Sequence, residues 1–195
     1  MRWLGLAFEG GLGVLAWLLG WWLDVDPLAT LYWDGAAVGI GLLACVPMFG
    51  LFLFCLWCPW RPFARIREVA DEFLTPLFAG LNWFDLLLLS AAAGLGEEML
   101  FRGFIQAGLA RPFGEHAGLL LASIIFGLMH LVTPAYGVLA TIMGIYLGLV
   151  WLYAGNLLSV VVAHGVYDFI ALLVLVRSTP QVVAPEADSH HRARA

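Results

Sequence analysis

Long runs of apolar residues alternate with short polar breaks along this chain, and the runs predict membrane-spanning helices. They cover about residues 3–23, 35–58, 83–110, 116–133, 136–154 and 157–176. Each has about the 20 residues that an α-helix needs to cross a bilayer. The breaks between the last four runs are "RPFGE", "TPA" and "AGN", which are typical of tight turns. The pattern therefore predicts an all-α, multi-pass transmembrane helical bundle of about six spans.

A mixed segment, "RPFARIREVADEF", lies between the second and third runs and predicts an amphipathic helix. Its apolar positions and the following ones recur at helical spacing: Phe63, Ile66, Ala70, Phe73, Leu74 and Leu77. Such a helix buries one face at the boundary of headgroups and acyl chains, so we expect it to lie in the membrane interface. We assign residues 1–80 to two spans and this interfacial helix, residues 81–176 to a second helical bundle, and residues 177–195 to a polar, disordered tail.

Composition supports a membrane protein and excludes one class of partner. Hydrophobic residues make up 63% of the chain and charged residues 12%, far from the average of soluble proteins. The formal net charge of −5 argues against a nucleic-acid partner, because nucleic-acid binding depends on neutralising phosphates with basic residues.

The placement of the arginines predicts the orientation in the membrane. Six spans would put both termini on one side, and seven of the nine arginines would share that side: Arg2, Arg61, Arg65, Arg67, Arg177, Arg192 and Arg194. Only Arg102 and Arg111 would lie towards the other side. Because cytoplasmic loops carry the excess of basic residues, we expect a cell-membrane protein with both termini in the cytoplasm.

Ionisable residues interrupt the apolar runs at three places and are the candidates for chemistry. "GLGEEMLFRGF" carries Glu97, Glu98 and Arg102, "FGLMH" ends at His130, and "AHGVYD" carries His164 and Asp168. A charged side chain at the centre of a span costs about 2.5–3.5 kcal/mol on insertion scales. Such residues usually face the interior of the bundle and pair with one another.

Helical spacing pairs Glu98 with Arg102. The two are four residues apart and share a helix face, so each can lower the cost of burying the other. Glu97 points about 100° away from Glu98 and is free to face a cavity. The alternative for this motif alone is a structural clamp between helices, with Glu97 near a polar interface.

The two histidines strengthen the functional interpretation. Glu97 lies sixteen residues before the turn near Phe113 and His130 seventeen after it, so antiparallel helices bring the two to a similar depth. His164 and Asp168 are four residues apart on one helix face. Taken singly, either histidine could be a satisfied residue of the core.

A carboxylate with two histidines in a dry cavity suits the activation of water. Glutamate can act as the general base, and histidines can position the water or donate to an oxyanion. Asp168 can fix the tautomer and orientation of His164. Glu97, His130 and His164 could instead bind zinc, but the spacing is not H-E-x-x-H. We therefore expect no cofactor, with zinc as the alternative.

Glu9, within "FEGGLG" of the first run, is a smaller candidate. It could line the same cavity, or it could sit near the interface beside flexible glycines. We favour the position near the interface. Asp85, at the start of the third run, is explained by the favourable interaction of a carboxylate with a helix N-terminus.

The three motifs together resemble a known family. "EEMLFR" is similar to a Glu-Glu-x-x-x-Arg motif, "FGLMH" to Phe-x-x-x-His, and "HGVYD" to His-x-x-x-Asn/Asp. In this order and spacing they resemble the CAAX protease and bacteriocin-processing family, also called CPBP or Abi. The resemblance covers about residues 84–176. That family includes eukaryotic CAAX prenyl endopeptidases and bacterial myxosortase-like enzymes.

The resemblance implies an intramembrane endopeptidase of the glutamic type that cuts a protein or peptide near the membrane during sorting, maturation or leader processing. By position, Glu97 would activate water, Glu98 and Arg102 would complete the first motif, His130 would orient the water, and His164 and Asp168 would stabilise the oxyanion. The last position is often Asn in the family. An aspartate donates a hydrogen bond only when it is protonated, which favours an orienting role for Asp168.

The partners that this function implies are a membrane-anchored protein or peptide substrate and the lipid bilayer. A competing hypothesis is a non-catalytic membrane scaffold or bacteriocin self-immunity protein of the same fold. A small transporter with a proton-relay carboxylate is disfavoured, because no pair of broken helices in matching halves is visible. With both termini inside, the motifs would lie towards the outer half of the bilayer, which suits a bacterial protease acting on exported proteins.

Overall fold

The computed structural model describes residues 2–78 and 80–178, and nearly all of them are helical. The elements in chain order are α1 (Arg2–Leu23), α2 (Gly35–Trp57), α3 (Arg61–Val69), π1 (Ala70–Leu74), α4 (Thr75–Phe78), α5 (Trp83–Glu98), π2 (Met99–Gln106), α6 (Ala107–Phe113), α7 (Glu115–Met129), α8 (Pro134–Ala154) and α9 (Leu157–Ser178), where π1 and π2 are π-helical turns. These residues contain no strand, so the predicted all-α fold is confirmed. The predicted tail lies outside the described residues from residue 179 onwards.

Four helices in the described ranges are long and apolar enough to cross a membrane: α1, α2, α8 and α9 as far as Arg177. A fifth is added if the bent pair Arg61–Phe78 and Trp83–Phe113 counts as one span. The predicted multi-pass helical bundle is therefore confirmed, with four or five candidate spans in the described ranges where about six were predicted.

The fourth predicted span is the one that falls short. Helix α7 has 15 residues, and a helix of that length rises about 22 Å, less than the ~30 Å of a hydrocarbon core. The apolar run continued to Val132, but the helix ends at His130, whose φ of −100° and ψ of 18° are not helical. Thr133 then caps the next helix by accepting a hydrogen bond from the Tyr136 amide, and Pro134 fits the first helical turn.

Local sequence explains where the other motif-bearing helices begin. Asn82 caps α5 by accepting hydrogen bonds from the amides of Phe84 and Asp85, and the Asp85 side chain accepts one from the Asn82 amide in return. Gly114 and Gly155 close the turns before α7 and α9 with φ values of 86° and 63°. Positive φ costs glycine little, so the predicted turns at "RPFGE" and "AGN" are confirmed.

Helix α5 lies in the middle of the bundle, between α1 and α9. Helix α9 packs on α2 as well, while α7 packs on α8, and π2 contacts both α1 and α7. Glycines allow the closest of these approaches, because Gly94 contacts α9 and Gly96 contacts the backbone carbonyl of Glu9 in α1. The division predicted at residue 80 stays a prediction, although α1 and α2 pack directly on α5 and α9.

We expect Gly96→Ala to destabilise the protein by about 1–3 kcal/mol. A Cβ at this position would overlap the Glu9 carbonyl oxygen, so α1 and α5 would have to move apart. Thermal unfolding of the purified protein in detergent measures the effect. Gly11→Ala in α1 is the matched control, because its Cβ would meet nothing within 4 Å and alanine favours helix. An unchanged Tm for Gly96→Ala would contradict this close packing.

Candidate active site

The three sequence motifs meet at one place in the bundle. The six predicted residues lie at the end of α5 (Glu97 and Glu98), in π2 (Arg102), just after α7 (His130) and in α9 (His164 and Asp168). Side-chain contacts of 2.7 to 3.9 Å link all six into one group. The predicted match in depth between Glu97 and His130 is thus present, and His164 of α9 lies at the same depth.

A fully buried ion pair between Glu98 and Arg102 is part of this group. Arg102 Nη1 donates to Glu98 Oε1 at 2.7 Å, and Arg102 Nη2 donates to the Gly144 carbonyl at 3.1 Å. The Glu98 side chain is 0% and the Arg102 side chain 2% exposed. The guanidinium also lies over the Phe126 ring. Two charges buried this deeply need close geometry and further hydrogen bonds to offset their desolvation, and Arg102 has both.

Glu98 also holds His164. The His164 Nδ1 atom lies 2.7 Å from Glu98 Oε1, and since a carboxylate accepts, Nδ1 carries the hydrogen. Asp168 Oδ2 is 3.5 Å from the other ring nitrogen, Nε2. The closer carboxylate to the ring is therefore Glu98 rather than Asp168, to which spacing had assigned the orienting role. Spacing reveals partners on one helix, whereas this contact joins α5 to α9.

His130 is oriented by backbone and by stacking. Its Nδ1 lies 2.9 Å from the Phe126 carbonyl oxygen, which can only accept, so Nδ1 carries the hydrogen here as well. The ring stacks on Phe126 with centroids 4.3 Å apart. In neutral His130, Nε2 is therefore a hydrogen-bond acceptor, and it faces the Glu97 carboxylate.

Glu97 is placed differently from its neighbour. Its Oε2 atom lies 3.8 Å from His130 Nε2 and 3.9 Å from His164 Nε2, both beyond hydrogen-bond distance. The same oxygen is buried and has no hydrogen-bond partner among the described residues. One glutamate is thus engaged by Arg102, and the other is unengaged, as the 100° offset between consecutive helical residues predicts.

A cavity of about 530 Å³ opens beside Glu97. Its walls are mostly apolar, with residues such as Met48, Phe52, Leu89, Met143 and Leu172. It extends from the ionisable group to the amphipathic segment, where Ile66 and Leu74 line it. Its volume is in the range of pockets that bind small ligands or segments of larger ones.

Glu9 lines this cavity, so the position favoured for it near the interface is wrong. Its Oε2 atom is buried and without a hydrogen-bond partner in the described part of the chain. Its backbone carbonyl packs on Gly96, directly before Glu97. The spacing of residues in α1 gives no sign of this, because the position follows only from how α1 packs on α5.

The residues that would hold a metal are Glu97, His130 and His164. The Glu97 oxygen is 3.8 and 3.9 Å from the two imidazole nitrogens, whereas ligand atoms around a tetrahedral zinc lie about 3.3 Å apart. Within residues 2–78 and 80–178, no group of three or more His, Cys, Asp or Glu side chains is arranged to hold a metal ion.

Residues 79–170 match a family model, that of the type II CAAX prenyl endopeptidase Rce1-like proteins. The matched segment contains all six residues of the group. No curated protein and no solved structure matches the chain. The match confirms the resemblance to the CAAX protease family, while the narrower resemblance to myxosortases is not supported by it. Residues 79–170, set in a multi-pass membrane protein, are thus similar to the Rce1-like family of CAAX proteases.

Proposed function

We propose that this chain is an intramembrane endopeptidase of the glutamic type, in which Glu97 activates water. The observation that carries the proposal is the Glu97 carboxylate, which faces a cavity. Its Oε2 atom has no hydrogen-bond partner among the residues that the structure describes and lies 3.8 and 3.9 Å from two imidazole nitrogens. Polar groups at such distances are commonly bridged by water. The match to a protease family supports peptide hydrolysis as the reaction.

The first step is attack by water. Glu97 takes one proton as the water oxygen bonds to the carbonyl carbon of the scissile peptide. His130 Nε2 accepts a hydrogen bond from the second water proton, because its Nδ1 hydrogen is already donated to the Phe126 carbonyl. The two acceptors together orient the water for attack.

The second step is collapse of the tetrahedral intermediate. His164, held through Nδ1 by Glu98, presents Nε2 to the same space. In its doubly protonated form it donates to the oxyanion from Nε2, and the nearby Asp168 carboxylate favours that charge. The C–N bond then breaks and the proton held by Glu97 passes to the leaving nitrogen. The products are a carboxylic acid and an amine, and Glu97 is again a carboxylate.

The proposed substrate is a membrane-anchored protein or peptide that enters from the bilayer, since most of the cavity wall is apolar. We further propose a cell-membrane location with both termini in the cytoplasm. This proposal counts the short helix α7 as a sixth crossing beside the five candidates, because six crossings place seven of the nine arginines on one side. A reporter fused after residue 195 that is active only in the cytoplasm tests that orientation, and an inactive but stable fusion would overturn it.

The experiment that tests the function is cleavage by the purified wild-type protein in lipid nanodiscs. The substrates are quenched fluorescent peptides that join a polar to an apolar segment. We expect cleavage that persists after treatment with a zinc chelator, because no step above needs a metal. Loss of activity with chelator and recovery with zinc would overturn the metal-free mechanism. Absence of cleavage across the peptide set, with a cellular phenotype that survives loss of Glu97, would favour the scaffold or self-immunity function.

A further inference from the structure

We infer that Glu9 and Ser90 form a cation-binding subsite beside Glu97, which takes a basic side chain of the substrate. The inference rests on the proposed function only for the identity of the ligand as a peptide. Glu9 lies on α1, outside the segment that matches the protease family. The subsite would make the protein select substrates in which arginine or lysine lies next to an apolar segment.

Besides Glu97 Oε2, two buried polar atoms in the cavity wall lack hydrogen-bond partners in the described part of the chain. They are Glu9 Oε2 and Ser90 Oγ, and neither has a hydrogen-bond partner among the described residues. Both residues line the cavity, and Ser90 is only 1% exposed. A buried polar group without a partner costs stability. A guanidinium or ammonium group in the cavity would supply donors to both oxygens, since each can accept.

Helix packing sets the positions of Glu9 and Ser90 relative to Glu97 along the axis of α5. Ser90 and Glu97 are seven residues apart, so they lie on the same face of α5, about 10 Å apart along its axis. Helix α1 runs beside this stretch, with Gly5 against Leu89 and the Glu9 carbonyl against Gly96. Glu9 therefore lies beside the stretch of α5 between Ser90 and Glu97. The contact between the Glu9 backbone carbonyl and Gly96 fixes this position.

The balance of charge in the cavity favours a cation. Glu9, Glu97 and Asp168 all line this cavity, so three carboxylates share one apolar space. Among the described residues that line the cavity, Arg67 is the only arginine, and its Nη1 donates to backbone carbonyls at the end of α2. Of the two histidines in the described wall, His130 is neutral in the mechanism proposed above, which leaves the charge of His164 against the carboxylates of Glu9, Glu97 and Asp168. A basic side chain of the substrate would relieve the remaining repulsion and would be bound by charge-assisted hydrogen bonds.

The rest of the cavity indicates what surrounds that basic residue. Its wall beyond the carboxylates is mostly apolar, so a substrate that fills it presents one cationic side chain beside an apolar segment. Specificity would follow from both parts, because a neutral residue leaves Glu9 and Ser90 without partners, whereas a misplaced cation is left in an apolar environment.

A binding experiment tests the subsite without requiring cleavage. The full-length protein carries Glu97→Gln, and the probes are two fluorescent peptides that differ only in arginine or its neutral isostere citrulline beside an apolar segment. We expect the arginine peptide to have a Kd about tenfold lower, as one charge-assisted hydrogen bond would give. Adding Glu9→Gln should bring the ratio of the two Kd values close to one. Equal Kd values before that change, or an undiminished ratio after it, would overturn the inference.

Two further variants keep the test decisive. Glu115→Gln makes the same chemical change at an exposed position of α7 and should leave the ratio as it was. Ser90→Ala should lower the ratio of the two Kd values about threefold. This variant tests the subsite if Glu9→Gln fails to accumulate.

Cleavage of the same two peptides by the wild-type protein separates this inference from the proposed function. An arginine preference in binding that depends on Glu9, with neither peptide cut, would leave the subsite standing and reject the peptidase. If both peptides were cut with equal kcat/KM and bound with equal Kd, the peptidase would stand and the subsite would be rejected.

Discussion

Glu97→Gln is expected to lower kcat for peptide cleavage by about 10²–10⁴-fold, while the protein still accumulates in the membrane. The amide has nearly the shape of the carboxylate but cannot take a proton from water. Little stability should be lost, because Glu97 Oε2 makes no hydrogen bond in the described structure. The measurement is the rate of cleavage of quenched peptides in nanodiscs, with the amount of protein determined by immunoblot.

Glu115→Gln serves as the control for this change and should cleave at the wild-type rate, because Glu115 is exposed and distant in sequence from all three motifs. If Glu97→Gln retained kcat within about threefold of wild type, Glu97 would not be the base. The water-activation mechanism would then be rejected even if the protein proved to be a peptidase.

Arg102→Met is expected to prevent stable accumulation in the membrane. The change leaves Glu98 charged in a site that is 0% exposed and removes the hydrogen bond to the Gly144 carbonyl. Breaking a buried ion pair by removing one partner costs about 3–5 kcal/mol, which is a large share of the stability of a typical domain. The amount of full-length protein in membranes, and the Tm of whatever can be purified, measure the loss.

The double variant Glu98→Gln with Arg102→Met shows whether the uncompensated charge is the cause. It removes both charges and keeps an amide oxygen that can accept the His164 Nδ1 hydrogen. We expect accumulation to return towards the wild-type level, because a neutral replacement of a buried pair is often tolerated. If the double variant accumulated no better than Arg102→Met, the contact of Arg102 with Gly144 would matter more than the charge of Glu98.

The helical architecture could be predicted because lipid leaves the sequence few options. Every backbone polar group must be satisfied within the chain, so apolar runs of sufficient length become helices, and Gly and Pro mark the turns between them. The length of α7 could not be predicted in this way, since Leu131 and Val132 are as apolar as the helix before them. Nor could π2, because its residues carry no pattern that distinguishes a π-helix from an α-helix.

The candidate site was predictable to the extent that its contacts follow from spacing on one helix. The Glu98–Arg102 pair is of this kind, and so is the divergence of Glu97 from Glu98. The bond from Glu98 to His164 crosses between helices, and the approach of α1 that brings Glu9 to the cavity depends on the absence of a side chain at Gly96. Such contacts depend on how the helices pack on one another, and the spacing of residues along one sequence does not reveal that packing.

The buried ion pair has a consequence for the order in which the protein assembles during synthesis. Glu98 and Arg102 lie on one continuous helical stretch, so their charges can neutralise each other as soon as that stretch has entered the bilayer. His164 comes 66 residues after Glu98, on the last helix described. A nascent chain therefore carries the proposed catalytic glutamate without its second histidine until α9 has been made, and the proposed catalytic group is incomplete until that point.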